Sequence, residues 1–143
     1  MLTITMKPLV QSVCFPSESA QLLFFFDNLN QGNRRVAVDF RWVKIRIFMG
    51  APDGITIDSR GHLWVACYGA GWVACFDPET GNLLDRIAVP TSDVTSCCFG
   101  GPNLNQMFIT TANKDQNAEE AHTLYRVDGF QSHGLPCCPV KLY

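Results

Sequence analysis

Asp53 stands between a proline and a glycine at the head of "APDGITIDSRGHLWVACY", Ala51 to Tyr68, just ahead of two runs of alternating residues. Two roles are open to it. An aspartate is a good turn residue because its side chain can bond the backbone two residues on. Its carboxylate is also a ligand of the kind that hard divalent cations prefer. The other groups capable of chemistry are scattered: His62 in a turn, His122 ahead of a strand, and His133 in a glycine-containing segment. No serine or cysteine pairs recognisably with a histidine and an acid, so the sequence speaks against a nucleophilic triad.

The seven cysteines do not supply an obvious metal knuckle. Cys97–Cys98 and Cys137–Cys138 are adjacent pairs, and Cys67 and Cys75 lie too far apart for the C-x-x-C spacing that wraps a tetrahedral zinc. Their number is odd and no Asn-x-Ser/Thr sequon occurs, which favours thiols in a reducing compartment over a disulfide scaffold. Buried thiols acting as small hydrophobes are the expectation.

Charge gives no global attraction to nucleic acid or to an anionic membrane, since the net charge is −2 and only 17% of residues are charged. The basic stretch "RRVAVDFRWVKIR", Arg34 to Arg46, carries five of the eleven positive charges. It lacks interleaved stacking aromatics and any RNA-binding signature, and nucleic-acid binding is not expected. Val36, Val38, Phe40 and Trp42 share one parity, whereas Val43, Ile45 and Ile47 share the other. That reversal requires a bulge or two separate strands. The longest early apolar run, Leu22 to Phe26, is far shorter than a membrane span and has no basic flank, so a soluble cytoplasmic protein without membrane association is expected.

The elements that would position Asp53 come from a repeat. A short apolar strand, a polar turn, a second apolar strand, another turn, and a strand ending in aspartate recur three times. The second-strand cores are "LLFFF" at Leu22, "LWVAC" at Leu63 and "MFITT" at Met107. The aspartate-ended strands are "VAVD" to Asp39, "VACFD" to Asp77 and "LYRVD" to Asp128. From Leu23 to Leu63 is 40 residues and from Leu63 to Met107 is 44, the spacing of four-stranded propeller blades. Glycine or proline marks the turns at Ser59–Gly61, Gly69–Gly71, Asp77–Gly81 and Gly100–Asn103. Only Asn117 to Ala121 has helix-forming composition, and its polarity favours a loop.

In the best-formed copy, Asp53 to about Pro90, both parities of the strands are largely apolar. Strands covered on both faces read this way, as when blade packs on blade. The fold class is therefore all-β, a partial propeller of about three four-stranded blades.

From Pro52 onward the chain resembles the carboxyl-terminal part of the regucalcin, gluconolactonase and luciferin-regenerating-enzyme family. The resemblance lies in "PDGITID", "GHLWVACY", "FDPETGNLLDRIAVP", "VTSCCFGGPNLNQMFITTA" and "LYRVDG", in that order, and runs on to "PVKLY" at the terminus. It divides the chain into residues 1–50, a divergent or incomplete blade with an unrecognised segment, and residues 51–143, the family's carboxyl-terminal blades. The resemblance implies a six-bladed propeller in the complete family member and hydrolysis of sugar-type lactones with a divalent metal in the central channel. Calcium is the first expectation, with zinc, manganese and magnesium as alternatives.

On that resemblance Asp53 is a metal ligand and helps to manage the attacking water. A second ligand of the family is an asparagine followed by glycine; Gln11–Ser12 stands in its place, and the role is not carried onto Gln11. A third, a glutamate early in the family chain, has no counterpart here, nor do the substrate contacts around it. Two functions follow as expectations: metal-dependent lactone hydrolysis, incomplete in this chain, or a non-catalytic half-propeller that associates with itself or another protein through its open blade sides.

Overall fold

The computed structural model describes residues 9–14, 21–26, 34–40, 50–112, 123–129 and 131–136, with side chains described from Val36 onward. Among the described residues, ten strands form three antiparallel sheets that follow one another along the chain. The first contains β1 (Leu9–Cys14), β2 (Gln21–Phe26) and β3 (Arg34–Asp39). The second contains β4 (Ala51–Ile57), β5 (Leu63–Tyr68), β6 (Trp72–Phe76) and β7 (Leu83–Ala88). The third contains β8 (Val94–Gly100), β9 (Gln106–Thr111) and β10 (Leu124–Val127). Each sheet is a simple meander, and every second-strand and third-strand motif of the repeat falls on its expected strand.

The connections follow turn chemistry. Gly69 and Gly71, both at positive φ, reverse the chain between β5 and β6, and Gly81, also at positive φ, closes the loop from β6 to β7. In that loop Asp77 accepts hydrogen bonds from the Glu79 N–H and the Thr80 hydroxyl, as an aspartate beginning a turn does.

β5 shows why the sheets must stack. Leu63, Val65 and Cys67 join Val38, Phe40, Ala74 and Phe76 in a core between the first and second sheets. Trp64 and Ala66, on the other parity, join Val73, Cys75, Cys97, Met107 and Ile109 between the second and third. One strand thus feeds two cores, because successive side chains point to opposite faces. In β9 only Met107, Ile109 and Thr111 are buried, and the opposite parity is not. The third sheet is packed on one face.

The first strands of the sheets lie side by side, with β4 in contact with both β1 and β8. One sequence expectation needs amendment and two fall outside the described residues. The Pro52–Asp53–Gly54 segment is not a turn: it lies within β4, where Pro52 to Ile55 spans one residue more than the facing Cys67 to Val65. That is a β-bulge, which makes room for an extra residue by bending the strand. The basic stretch also contains an irregular register, since Leu23 and Phe24 face Val38 and Val36; its parity change at Val43, and the Asn117–Ala121 segment, lie outside the described residues.

Candidate metal centre

Asp53 sits at the bulge of β4 and is exposed, with its pKa raised by partial desolvation of the carboxyl. The bulge is held from behind by close packing. The backbone at Gly54 runs directly against Ser96 of β8, so a β-carbon there would come within 2.6 Å of the Ser96 Cα. Glycine is needed at this position for space. On the other side lies β1, on which Gln11 pairs with Phe24. The structure therefore brings the strands bearing Asp53 and Gln11 together, as neighbouring inner strands of an arc.

A second set of groups lies where β4 ends and β5 begins. Asp58 is fully buried, and its Oδ1 accepts hydrogen bonds of 2.9 Å from the backbone N–H groups of both Arg60 and His62. Its Oδ2 receives the Trp64 indole N–H at 3.3 Å and lies 3.3 Å from His62 Nδ1 and 3.6 Å from the Arg60 guanidinium. Burial pushes the Asp58 pKa up, but the His62 N–H, the Trp64 indole and the Arg60 N–H outweigh it, and the carboxyl titrates below its usual range. Cys75 of β6 completes a group in which one ligand atom from each of Asp58, His62 and Cys75 lies within 4.8 Å of the others. Among the described residues this is the only such cluster of three acid, histidine or cysteine groups.

The SMP-30/gluconolactonase/LRE-like region matches residues 18–113 of the sequence. This chain belongs to that family. The match takes in β2 and β3, so family resemblance begins well before the Pro-Asp-Gly motif. Regucalcin of Sus scrofa is 40% identical over 94 residues, covering 62% of this chain and 31% of the relative. Regucalcin of Gallus gallus is 36% identical over 114 residues, covering 76% and 36% respectively. The chain thus spans about a third of the length of these relatives.

Among solved structures, a luciferin-regenerating enzyme superposes with a TM-score of 0.69 at 29% identity, covering 86% of this chain and 43% of the other. A regucalcin of Agrobacterium tumefaciens, described as a calcium-binding protein, gives a TM-score of 0.68 at 24% identity and covers 81% and 41%, a likeness of fold alone. The partial-propeller reading agrees with these family structures.

Within the family chain, Asp53 and the Asp58 cluster are separate places. Asp58 lies five residues beyond Asp53, and at about 3.3 Å per residue the two are roughly 16 Å apart along the strand. Asp53 fits a hard cation as a single carboxylate ligand, whereas calcium takes roughly six to eight oxygens. The Asp58 cluster offers oxygen, nitrogen and sulfur. Sequence reasoning missed it by treating His62 as a turn residue and Cys75 as a buried hydrophobe. A period-two count was the available signal: His62 and Trp64 share a parity, and Trp64 faces Cys75 across β5 and β6.

Proposed function

We propose that this chain carries the Asp53 portion of a divalent-metal centre for hydrolysis of a sugar-type lactone, with calcium as the first metal. The observation that carries the reading is an exposed aspartate at a bulge on the inner strand β4, flanked by β1 and β8, in a member of this family. A cation bound there would polarise the lactone carbonyl and lower the pKa of a coordinated water. Asp53 would hold the cation through a carboxylate oxygen. The β4 bulge and its packing on Ser96 would fix that oxygen in place. The remaining ligands would come from polypeptide other than the described residues. Free thiols at Cys67, Cys75, Cys97 and Cys98 support a reducing, cytoplasmic setting, and among the described residues no helix is long and apolar enough to cross a membrane.

Calcium titration and lactone hydrolysis, measured on the chain within an active assembly and on its Asp53→Asn variant, test the reading. Loss of calcium affinity together with hydrolysis supports it; unchanged activity removes Asp53 from the centre.

A second reading is favoured by the uncovered face of the third sheet. Leu124 of β10 is 62% exposed there, and Cys98 of β8, on the far side of β9, is exposed as well. A non-catalytic arc would cover such a face with a second copy of itself. Sedimentation equilibrium distinguishes the two: a concentration-dependent dimer without lactone turnover favours association, and a monomer opposes it.

A further inference from the structure

We propose that Asp58, His62 and Cys75 form a binding site for a borderline divalent transition metal, zinc in particular, at the opposite end of β4 from Asp53. The donor set makes the first argument. Carboxylate oxygen, imidazole nitrogen and thiolate sulfur together match zinc, whereas calcium and magnesium take oxygen.

Sheet register makes the second. Trp64 and Cys75 are directly opposite on β5 and β6, and His62 precedes Trp64 by two residues, placing His62 diagonally across from Cys75 on one face. Asp58 closes the group from the turn, and the three ligand atoms lie within 4.8 Å of one another. Around a tetrahedral zinc, with bonds of about 2.0–2.3 Å, donor atoms stand roughly 3.3–3.7 Å apart. The group therefore needs to contract by about 1 Å, within reach of the partly exposed His62 ring.

Satisfaction of polar atoms makes the third. His62 Nδ1 is buried and has no hydrogen-bond partner, although it lies 3.3 Å from Asp58 Oδ2, so its alignment with the carboxylate is poor. A buried ring nitrogen left this way is costly, and a metal would use it. Asp58 divides its labour: Oδ1 is fixed by two backbone N–H groups, while Oδ2, which also accepts the Trp64 indole N–H, lies 3.3 Å from His62 Nδ1. Asp85, facing Cys75 from β7, adds a second carboxylate to the surroundings.

Arg60 is the built-in competitor for Asp58. Its side chain is 58% exposed and its guanidinium also donates to the Ser132 hydroxyl, so it can withdraw from the carboxylate as a cation enters. An adjoining cleft of about 600 Å³, bordered by Arg60, His62, Cys75 and Asp85, gives solvent access and room for a fourth ligand such as water. On binding, the Cys75 thiol releases its proton to solvent and the sulfur takes its place on the metal.

Cobalt(II) titration of the full chain tests the site, because a cobalt–thiolate bond gives a charge-transfer absorption that oxygen ligands do not. One equivalent should produce the band and zinc should bleach it. Cys75→Ser should abolish it, and His62→Gln should weaken binding roughly tenfold or more. Asp53→Asn and Cys98→Ser should leave it unchanged, which separates this site from the lactonase reading and from the exposed thiol. Absence of the band in the wild-type chain, or its full retention in Cys75→Ser, would overturn the proposal. Should Cys75→Ser not fold, undiminished affinity in His62→Gln, whose side chain is partly exposed, overturns it equally.

Discussion

A β-carbon placed on Gly54 would lie 2.6 Å from the Cα of Ser96, closer than two non-bonded carbons approach. Backbone meets backbone here, so trimming the serine side chain does not remove the conflict. Gly54→Ala should destabilise the fold by about 1–3 kcal/mol, and Ser96→Gly should restore only part of the loss. Urea unfolding of the two single variants and the double variant measures this. In an assembly that binds calcium, Gly54→Ala should also weaken affinity by displacing the neighbouring Asp53.

Asp58→Ala should be among the most damaging substitutions in the second sheet. It leaves the Arg60 and His62 N–H groups and the Trp64 indole without their carboxylate. Loss of hydrogen bonds to a buried charge predicts about 3 kcal/mol or more of destabilisation. Asp58→Asn, which keeps one carbonyl oxygen, should lose less. Guanidinium unfolding monitored through tryptophan fluorescence reports both.

Acid should weaken the hairpin between β6 and β7. Asp77 has a lowered folded pKa, chiefly through the Glu79 N–H and then the Thr80 hydroxyl. A depressed carboxylate pKa contributes stability above its unfolded value, and that contribution is lost as pH falls through the folded value. Asp77→Asn should therefore show a smaller decline in stability than the parent over the acid range below the ordinary carboxylate pKa of about 4. Thermal melts at successive pH values test the difference; parallel curves would remove Asp77 from the acid response.

Thiol labelling should divide the cysteines. Burial pushes Cys67 and Cys97 up to about 12, leaving almost no thiolate near neutrality. Cys98 is exposed. At neutral pH a disulfide reagent should modify Cys98 quickly, and Cys67 and Cys97 only after denaturant is added. Peptide mapping after timed quenching identifies the order, and early labelling of Cys67 would contradict its placement in the core.

Much of this architecture was legible from period and punctuation. "LWVAC" and "VACFD" are apolar on both parities because β5 and β6 lie between two neighbouring sheets, and no single-sided strand has that need. Asp39, Asp77 and Asp128 likewise marked strand ends from sequence. Pro52–Asp53–Gly54 misled, because its composition is that of a turn while its glycine serves packing against a residue 42 positions away, Ser96. The Asp58 group was hidden for a related reason. Cysteine spacing reveals sites built within one short segment, whereas Cys75 reaches His62 across a strand pair.

The double burial of β5 also dictates how this chain can vary. Along β9, tolerance of a charged replacement should rise and fall with every second residue, because Phe108 and Thr110 are less enclosed than Met107, Ile109 and Thr111. From Leu63 to Cys67 no such rhythm is available: each position is filled from one side or the other. A saturation library scored for folded protein would trace an oscillation in the third sheet and an unbroken trough in the second. Inherited change in this stretch is thereby confined to exchanges among apolar residues of similar volume, and its sequence should drift more slowly than the rest of the arc.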